Sequence, residues 1–453
     1  MENQIQNQNE KNQGKFSFFQ TTTAKLIMVG ILTLVLLIPL NLVQDLITER
    51  STRKVEATQQ IASTWGENVM LMGPILKIPY KTTVETEVIN EKTKQTTIQV
   101  QTYEENAYFF PTELNYSTKV DKVDKLKYGI YKAIVFKSKI ATSGNFEKLD
   151  FEKLGIKPEN ILWNKASIIV KTTNLKSIKS ELVVNFNNQQ LTLETNNEND
   201  SHFDTLESTT FSLSNENKNN FNFTIDYNGS ESIEFIPLGK TTTTAIDAIW
   251  NSPSFIGYFA PNDTTKKITA NDFHADWKVI NVNRPFAQQY TEKLPNLQQY
   301  SYGVRLIETA DQYQQNERAS KYGFLVIGLT FLIFFLIQTI SKINIHIFQY
   351  TMIGLALVMF YTLLISITEH SSFSFAYIIA ASAVIVMLLL YSISILKNKK
   401  ISFFITAALA LLYSFIFVII QLEDYALLVG SIGLFLILGA VMYFSRKIDW
   451  STN

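Results

Sequence analysis

The sequence predicts a membrane bundle of six α-helices, arranged as one plus five, together with a large β-rich domain outside the cytoplasm. Three observations lead to this prediction. Six long runs contain no charged residue, and the long segment between the first and second run has an ordinary polar composition. Within that segment, hydrophobicity alternates with the period of two that is typical of β-strands. The spacing of these strands favours an antiparallel sandwich or barrel-like lobes.

Charge is distributed very unevenly along the chain. The 453 residues carry 40 basic and 40 acidic side chains, but residues 323–453 hold only ten of them. A formal net charge of zero argues against a general nucleic-acid binder, which needs a basic face. Aromatic residues make up 13% of the chain, which excludes a disordered protein. The last third of the chain is therefore apolar, and the middle resembles a soluble domain.

Each uncharged run can cross a hydrocarbon core of about 30 Å as a helix. Runs this apolar lack the polar face of a surface helix in a soluble protein. The first run follows Lys25, is longer than the apolar region of a secretory signal and has no small-residue cleavage site, so it is predicted to be an uncleaved signal anchor. The runs are Leu26–Val43, Phe324–Ile340, Ile347–Thr368, Phe375–Leu396, Ile401–Ile420 and Ala426–Phe444.

The placement of Lys and Arg predicts that both termini are cytoplasmic. Basic residues cluster before the first run, at Lys342, at residues 397–400 and after the last run, whereas the alternate short loops carry acids. Arg50, Arg53 and Lys54 count against this orientation but are outnumbered. The predicted organisation is a cytoplasmic tail (1–25), the anchor (26–43), an exported domain (44–322), a five-helix bundle (323–444) and a second cytoplasmic tail (445–453).

The exported domain is predicted to begin and end with polar helical stalks, at about 45–64 and 311–322. Without any cysteine, it must be stable through burial of its core alone. Pro74 and Pro79 are expected to bracket a short strand. The predicted strands are Thr97–Tyr103, Tyr128–Ile140, Ser167–Lys171, Glu181–Phe186, Gln190–Glu194, Thr210–Leu213, Phe221–Tyr227 and Ser232–Ile236.

The sequence contains none of the usual catalytic or phosphate-binding motifs. Its four histidines lack the spacing of metal ligands, so no catalytic residue, cofactor or metal site is expected. One group of charged residues is a candidate contact between the exported domain and the membrane bundle, because opposite charges would meet near the external surface. An alternative interpretation is that Glu369 and His370 are capping residues that face water at a helix end, and that Glu423 and Asp424 belong to a solvated turn. The group comprises Arg318, Lys321, Glu369, His370, Glu423 and Asp424.

Short motifs spread over the whole chain resemble those of the CreD family of bacterial inner-membrane proteins, also called the cell envelope integrity or colicin-tolerance family. In chain order they are Trp65-Gly66, Gly73-Pro74, Pro79-Tyr80, Trp250 and Pro253 with residues 254–257, Glu317-Arg318-Ala319, Lys321-Tyr322-Gly323, Glu369-His370, Gln421–Leu428 and Asp449-Trp450. The resemblance implies six spans, a periplasmic domain, and links to envelope stress, colicin tolerance and β-lactam response. It points to neither a particular enzymatic activity nor a particular ligand.

Three hypotheses for function follow from these observations. In the first, the protein is not an enzyme, and its exported β-domain binds an envelope protein or glycan while the bundle anchors it in the lipid bilayer. In the second, the bundle is a transporter or flippase for a lipid-like or apolar substrate, which predicts a polar cavity among its helices. In the third, external carboxylates act on an envelope polymer with His274 or His370, and Asp272 and Asp276 are candidates. The sequence predicts no oligomeric state.

Overall fold

The computed structural model describes residues 22–89, 96–196, 202–214, 218–306, 312–341, 343–422 and 425–446. The chain divides into two units, one formed by Met1–Val55 with Ala310–Asn453 and the other by Glu56–Thr309. The first unit contains apolar helices and the second is a β-domain. The predicted fold class, with one apolar N-terminal helix, a large β-domain and five apolar C-terminal helices, is thereby confirmed.

Seven helices are described. The first is a single helix of 44 residues that includes both the predicted anchor and the polar segment 45–64. Six of the seven are long and apolar enough to cross a membrane, and the exception is the short polar α2. The helices are α1 Thr22–Trp65, α2 Gln312–Lys321, α3 Gly323–Ile340, α4 Ile347–Thr368, α5 Phe373–Leu396, α6 Lys399–Gln421 and α7 Ala426–Ser445.

Aromatic side chains fill the interior of the helical unit. The ring of Phe360 lies 4.8 Å from that of Tyr361, 5.2 Å from that of Tyr377 and 4.8 Å from that of Tyr413. These contacts join α4, α5 and α6 into one buried core. By contrast, α7 has no buried residue. The helical unit therefore has a closed aromatic centre and one exposed peripheral helix.

The polar helix α2 belongs to the helical unit, although the sequence predicted a stalk of the exported domain at 311–322. It packs against α3, α4, α5 and α6, and Asn316, Ala319 and Ser320 are buried. It also contacts α1, because Gln44 donates a hydrogen bond to the Ser320 carbonyl oxygen and Lys54 lies 5.6 Å from the Tyr313 ring centre. The small residues on one face of α2 allow this close packing. The sequence did not predict it, because most side chains of α2 are charged or carry amides.

Where the structure describes the β-domain, it has sixteen strands and several single turns of 3₁₀-helix. The strands are β1 Val69–Ile89, β2 Thr96–Phe109, β3 Glu113–Tyr128, β4 Tyr131–Phe146, β5 Ser167–Thr172, β6 Val183–Phe186, β7 Gln189–Asn196, β8 Asp204–Ser208, β9 Asn219–Ser230, β10 Ser232–Phe235, β11 Thr241–Ala248, β12 Pro253–Gly257, β13 Lys267–Ile268, β14 Phe273–Ile280, β15 Gln289–Thr291 and β16 Tyr302–Leu306.

The strands form one continuous path of hydrogen-bonded neighbours, β12-β16-β10-β1-β5-β8-β7-β6-β9-β4-β3-β11-β14-β13, with β2 and β15 beside β1. Most pairings are antiparallel, but β1 with β10 and β3 with β11 are parallel. The sheet folds back on itself into two facing layers: the ring of Tyr116 on β3 lies 4.6 Å from that of Phe235 on β10. The structure is therefore a sandwich around one hydrophobic core.

Three predictions about strands were wrong. Pro74 and Pro79 lie inside the single long strand β1, because a shift of register between Met72 and Ile75 accommodates the first proline. The predicted strand Tyr128–Ile140 contains the turn between β3 and β4. Residues 210–213 form no strand, and only Phe211 makes an isolated bridge, to Ala166.

Glu207 on β8 forms a partly buried ion pair and hydrogen bonds that connect β8 to β1, β5 and β7. Its carboxylate accepts hydrogen bonds from Lys77 Nζ at 2.9 Å, Ser167 Oγ at 2.5 Å and Asn196 Nδ2 at 2.5 Å. Burial opposes the charged form, but these hydrogen bonds outweigh burial and hold the pKa of Glu207 below its usual value. Glu207 is thus ionised in the folded β-domain at neutral pH, where its charge is paired with that of Lys77.

We expect Glu207→Gln to lower the free energy of unfolding by about 1–3 kcal/mol at pH 7, because Lys77 loses its charged partner. A carboxyl with a depressed pKa in the folded state stabilises the protein above its unfolded pKa of about 4.3, and this contribution disappears as pH falls through the folded pKa. Denaturant titrations at pH 7 and pH 3 should therefore give a smaller difference between variant and wild type at pH 3.

Glu104→Gln is the control: its ion pair with Lys165 is exposed, so a loss below about 1 kcal/mol is expected. Equal losses for the two variants would contradict this account.

Candidate functional site

The candidate site is a polar cavity of about 610 Å³ in the β-domain. It forms where the parallel pairing of β1 with β10 and the antiparallel pairing of β10 with β16 bring distant parts of the chain together. In register across these strands lie Met70, Glu234 and Gly303. The full lining is Asn68, Met70, Thr173, Glu234, Gly257, Tyr258, Gln298, Gln299 and Ser301.

The carboxylate of Glu234 is held in a fixed position within the cavity. Ser232 Oγ donates a hydrogen bond to one of its oxygens at 3.0 Å, and Ser301 Oγ donates to the other at 2.8 Å. The neighbouring residue on β16 is Gly303, which has no side chain. Each carboxylate oxygen can accept a further hydrogen bond, so Glu234 offers preorganised acceptors to a ligand.

An exposed aromatic ring stands beside this carboxylate. Tyr258 is 57% exposed, although its backbone N–H donates to the Ser301 carbonyl oxygen at 2.8 Å. The rings of Phe259 and Tyr300 pack edge-on against it at 5.0 Å and 5.3 Å. The Tyr258 ring is therefore held in place by two neighbouring rings and still presents an exposed surface to a ligand.

The backbone conformation of Gly257 determines where Tyr258 lies. Gly257 has φ of 95°, and a Cβ at this position would overlap the Ser301 carbonyl oxygen. Only glycine can adopt this positive φ without strain and also avoid the overlap with Ser301. Gly257 ends the run that begins at Trp250, where the Trp250 indole N–H donates to the Ser252 carbonyl oxygen and Pro253 starts β12. This sequence motif thus builds one wall of the cavity.

The chemistry of the cavity suits a polyhydroxylated ligand. Glu234 supplies acceptors, and the amides of Asn68, Gln298 and Gln299 supply both donors and acceptors. An aromatic ring such as Tyr258 offers an apolar surface with a polar tip. Convergent polar groups beside one aromatic surface are typical of sites that orient a small ligand. Sequence reasoning missed these residues, and only the motif ending at Gly257 pointed to this region.

Of the six residues predicted to link the exported domain to the membrane bundle, Glu369 and Lys321 form ion pairs within the helical unit. Glu369 pairs with Arg50 on α1, with 3.4 Å between Oε1 and Nε, and Lys321 pairs with Glu317 on its own helix at 2.7 Å. His370 is exposed, and Arg318 forms no ion pair with any residue that the structure describes. Glu423 and Asp424 lie outside the described residues. Sequence reasoning missed Arg50, which it counted only as evidence about orientation.

The other motif residues that the structure describes take part in hydrogen bonding or packing within the fold. The Trp65 indole N–H donates to the Phe136 carbonyl oxygen at 3.4 Å, and Gly66 follows it. Gly73 accepts a hydrogen bond from Tyr116 Oη at 2.6 Å, beside Pro74. The hydroxyl group of Tyr80 donates to Glu105, and burial, together with this hydrogen bond, raises the pKa of Tyr80. Tyr322 and Gly323 begin α3 within the helical core, while Asp449 and Trp450 lie outside the described residues.

Of the two histidines considered for an enzyme, His274 lies at the surface of the sandwich. His274 Nδ1 is 2.7 Å from Asp247 Oδ1, and Nε2 is 3.6 Å from Asp276 Oδ1. Asp272 instead accepts a hydrogen bond from Thr269. Among the described residues, no three His, Asp or Glu side chains converge as metal ligands.

The fold defines a multi-span membrane protein with a large β-sandwich domain, which contains the candidate site. A family model described as inner membrane protein CreD matches residues 21–451. The inner membrane protein CreD of Escherichia coli (strain K12) is 29% identical over 426 residues, which cover 92% of this chain and 91% of the relative. The chain belongs to the CreD family and is an inner membrane protein.

Proposed function

We propose that this chain is a non-enzymatic protein of envelope integrity and stress response whose β-sandwich binds an envelope glycan in the Glu234 cavity. The observation that carries the proposal is the fixed Glu234 carboxylate beside the exposed ring of Tyr258. Sugars present many hydroxyl groups on rings that also have an apolar C–H face. In this cavity the Glu234 carboxylate can accept hydrogen bonds from the hydroxyl groups, and the Tyr258 ring can pack against the C–H face.

Binding without catalysis fits the cavity better than hydrolysis of the glycan. Most glycoside hydrolases use two carboxylates on opposite sides of the bond they cleave. Among the described residues that line the cavity, Glu234 is the only acidic one. The third hypothesis, an enzyme built on His274 or His370, would place the chemistry on a half-buried histidine at the surface of the sandwich or on an exposed histidine just after α4.

The proposal requires the β-domain to face the periplasm and both termini to face the cytoplasm. The excess of Lys and Arg in the predicted cytoplasmic loops supports this orientation. Because the chain has no cysteine, single cysteines can report it without background. In intact cells a membrane-impermeant maleimide, able to cross only the outer membrane, should label Thr264→Cys in the β-domain. It should label Asn344→Cys only after the cells are lysed, and labelling of Asn344→Cys in intact cells would contradict the orientation.

A lipid transporter is the second candidate function. It predicts a polar cavity among the C-terminal helices. Where the structure describes these helices, Phe360, Tyr361, Tyr377 and Tyr413 fill their centre. One cavity among the described helices lies between α3, α6 and α7 and has apolar walls. We therefore favour an anchoring role for the bundle.

Complementation of a deletion strain tests the proposed function in cells. Under β-lactam challenge, Glu234→Ala should fail to restore the wild-type response, whereas Glu159→Ala, an exposed change elsewhere in the β-domain, should restore it. Immunoblots of the membrane fraction would verify equal amounts of both variants. Full rescue by Glu234→Ala would contradict the proposed function.

A further inference from the structure

The helical unit contains an apolar groove of about 650 Å³ between α3, α6 and α7. On α6 its wall is a continuous stripe that includes Phe404, Ala408, Leu411 and Phe415, at spacings of three and four residues. Such spacings place side chains on one face of a helix. Ala440 on α7 forms part of the opposite wall.

The two ends of the groove differ. At one end the Phe415 ring packs against Gly433, so α6 and α7 are in close contact there, and at the other end the groove is bordered by positive charge. Towards the other end, Lys400 lies one helical turn before Phe404 on the same face of α6. Lys397, Lys399 and Arg446 are also exposed at the ends of α5, α6 and α7. No acidic residue occurs in the described parts of α3, α5, α6 and α7.

The length of the groove matches one leaflet of a bilayer. From Phe404 to Phe415 the helix rises about 16 Å, at about 1.5 Å per residue. The hydrocarbon core of a bilayer is about 30 Å thick, so each leaflet contributes about half of this. One lipid acyl chain therefore has the right length to lie along the groove with its headgroup at the basic end.

We propose that the groove binds one anionic phospholipid, with an acyl chain against the α6 stripe and its phosphate beside Lys400. The apolar walls provide contact with the chain, and the basic end selects the charge of the headgroup. This site is separate from the Glu234 cavity, and its failure would leave the proposed glycan binding untouched.

Native mass spectrometry of the purified full-length chain tests this site. We expect phosphatidylglycerol to bind more tightly than phosphatidylcholine with the same acyl chains. Lys400→Gln should weaken binding of phosphatidylglycerol about fivefold, the effect of one basic residue near an anionic lipid surface, and leave phosphatidylcholine unchanged. Lys321→Gln, which removes the same charge on α2, is the control and should change neither affinity.

A second pair of variants tests the apolar wall. Ala440→Trp fills the groove and should weaken the binding of both lipids, whereas Leu436→Trp, on an exposed part of α7 outside the lining, should not. Equal affinity of the wild type for the two lipids would overturn the proposal, as would equal effects of Lys400→Gln and Lys321→Gln. A dimer in which a second copy covers the groove and displaces lipid would also overturn it.

Discussion

Glu234→Ala should weaken glycan binding by about ten- to one-hundredfold, because hydrogen bonds to a charged group contribute about 1.5–3 kcal/mol. Ser232 and Ser301 already fix this carboxylate in the free protein. A ligand therefore need not order the side chain, and the full interaction is lost with it. The measurement is calorimetric titration of full-length protein in nanodiscs with soluble peptidoglycan fragments.

A second cavity variant and a matched control separate binding in the cavity from general surface effects. Tyr258→Ala should weaken binding about three- to tenfold, through loss of one aromatic contact worth about 0.5–1.5 kcal/mol. Tyr128 is also 57% exposed but lies at the β3–β4 turn, so Tyr128→Ala should leave the affinity unchanged. If Tyr128→Ala and Tyr258→Ala weakened binding equally, the glycan would not occupy the cavity.

Gly257→Ala should lower the free energy of unfolding of the β-domain by about 3 kcal/mol and its Tm by about 10 °C. Two effects combine at this position. Its φ of 95° is unfavourable for any residue with a Cβ, and the added methyl group would overlap the Ser301 carbonyl oxygen. Displacement of Ser301 would also disturb Glu234, so glycan affinity should fall together with stability.

Gly155→Ala is the matched control for Gly257→Ala. Gly155 also has a positive φ, of 72°, but no atom lies within 4 Å of the position that its Cβ would occupy. We expect a loss of only about 1 kcal/mol from backbone strain. Thermal unfolding followed by circular dichroism distinguishes the two variants. Equal changes in Tm would show that the contact with Ser301 contributes nothing.

The helical unit was largely predictable because each of its spans is a local property of the sequence. A run without charges has few alternatives to a membrane helix. The exception is α2, where local polarity suggested a stalk although Asn316, Ala319 and Ser320 pack inside the helical unit. Polarity describes the side chains of α2 but not which of its faces meets other helices.

The candidate site was not predictable because its residues come from separate parts of the chain. Glu234 meets Ser301 because β10 pairs with β16, and it lies beside Met70 because β10 pairs with β1. One of these pairings is parallel, so the two strands are far apart in sequence. The same limitation hid the ion pair of Arg50 with Glu369. Hydrophobic periodicity identifies strands but does not identify their neighbours.

The most direct test of the central claim is a binding titration of the full-length wild type and Glu234→Ala in nanodiscs. The titrants are soluble peptidoglycan fragments and an N-acetylglucosamine tetrasaccharide. We predict saturable binding of at least one of these glycans by the wild type and at least tenfold weaker binding by Glu234→Ala. No binding of either glycan by the wild type, or equal affinities of the wild type and the variant, would contradict the assignment of the cavity as a glycan site.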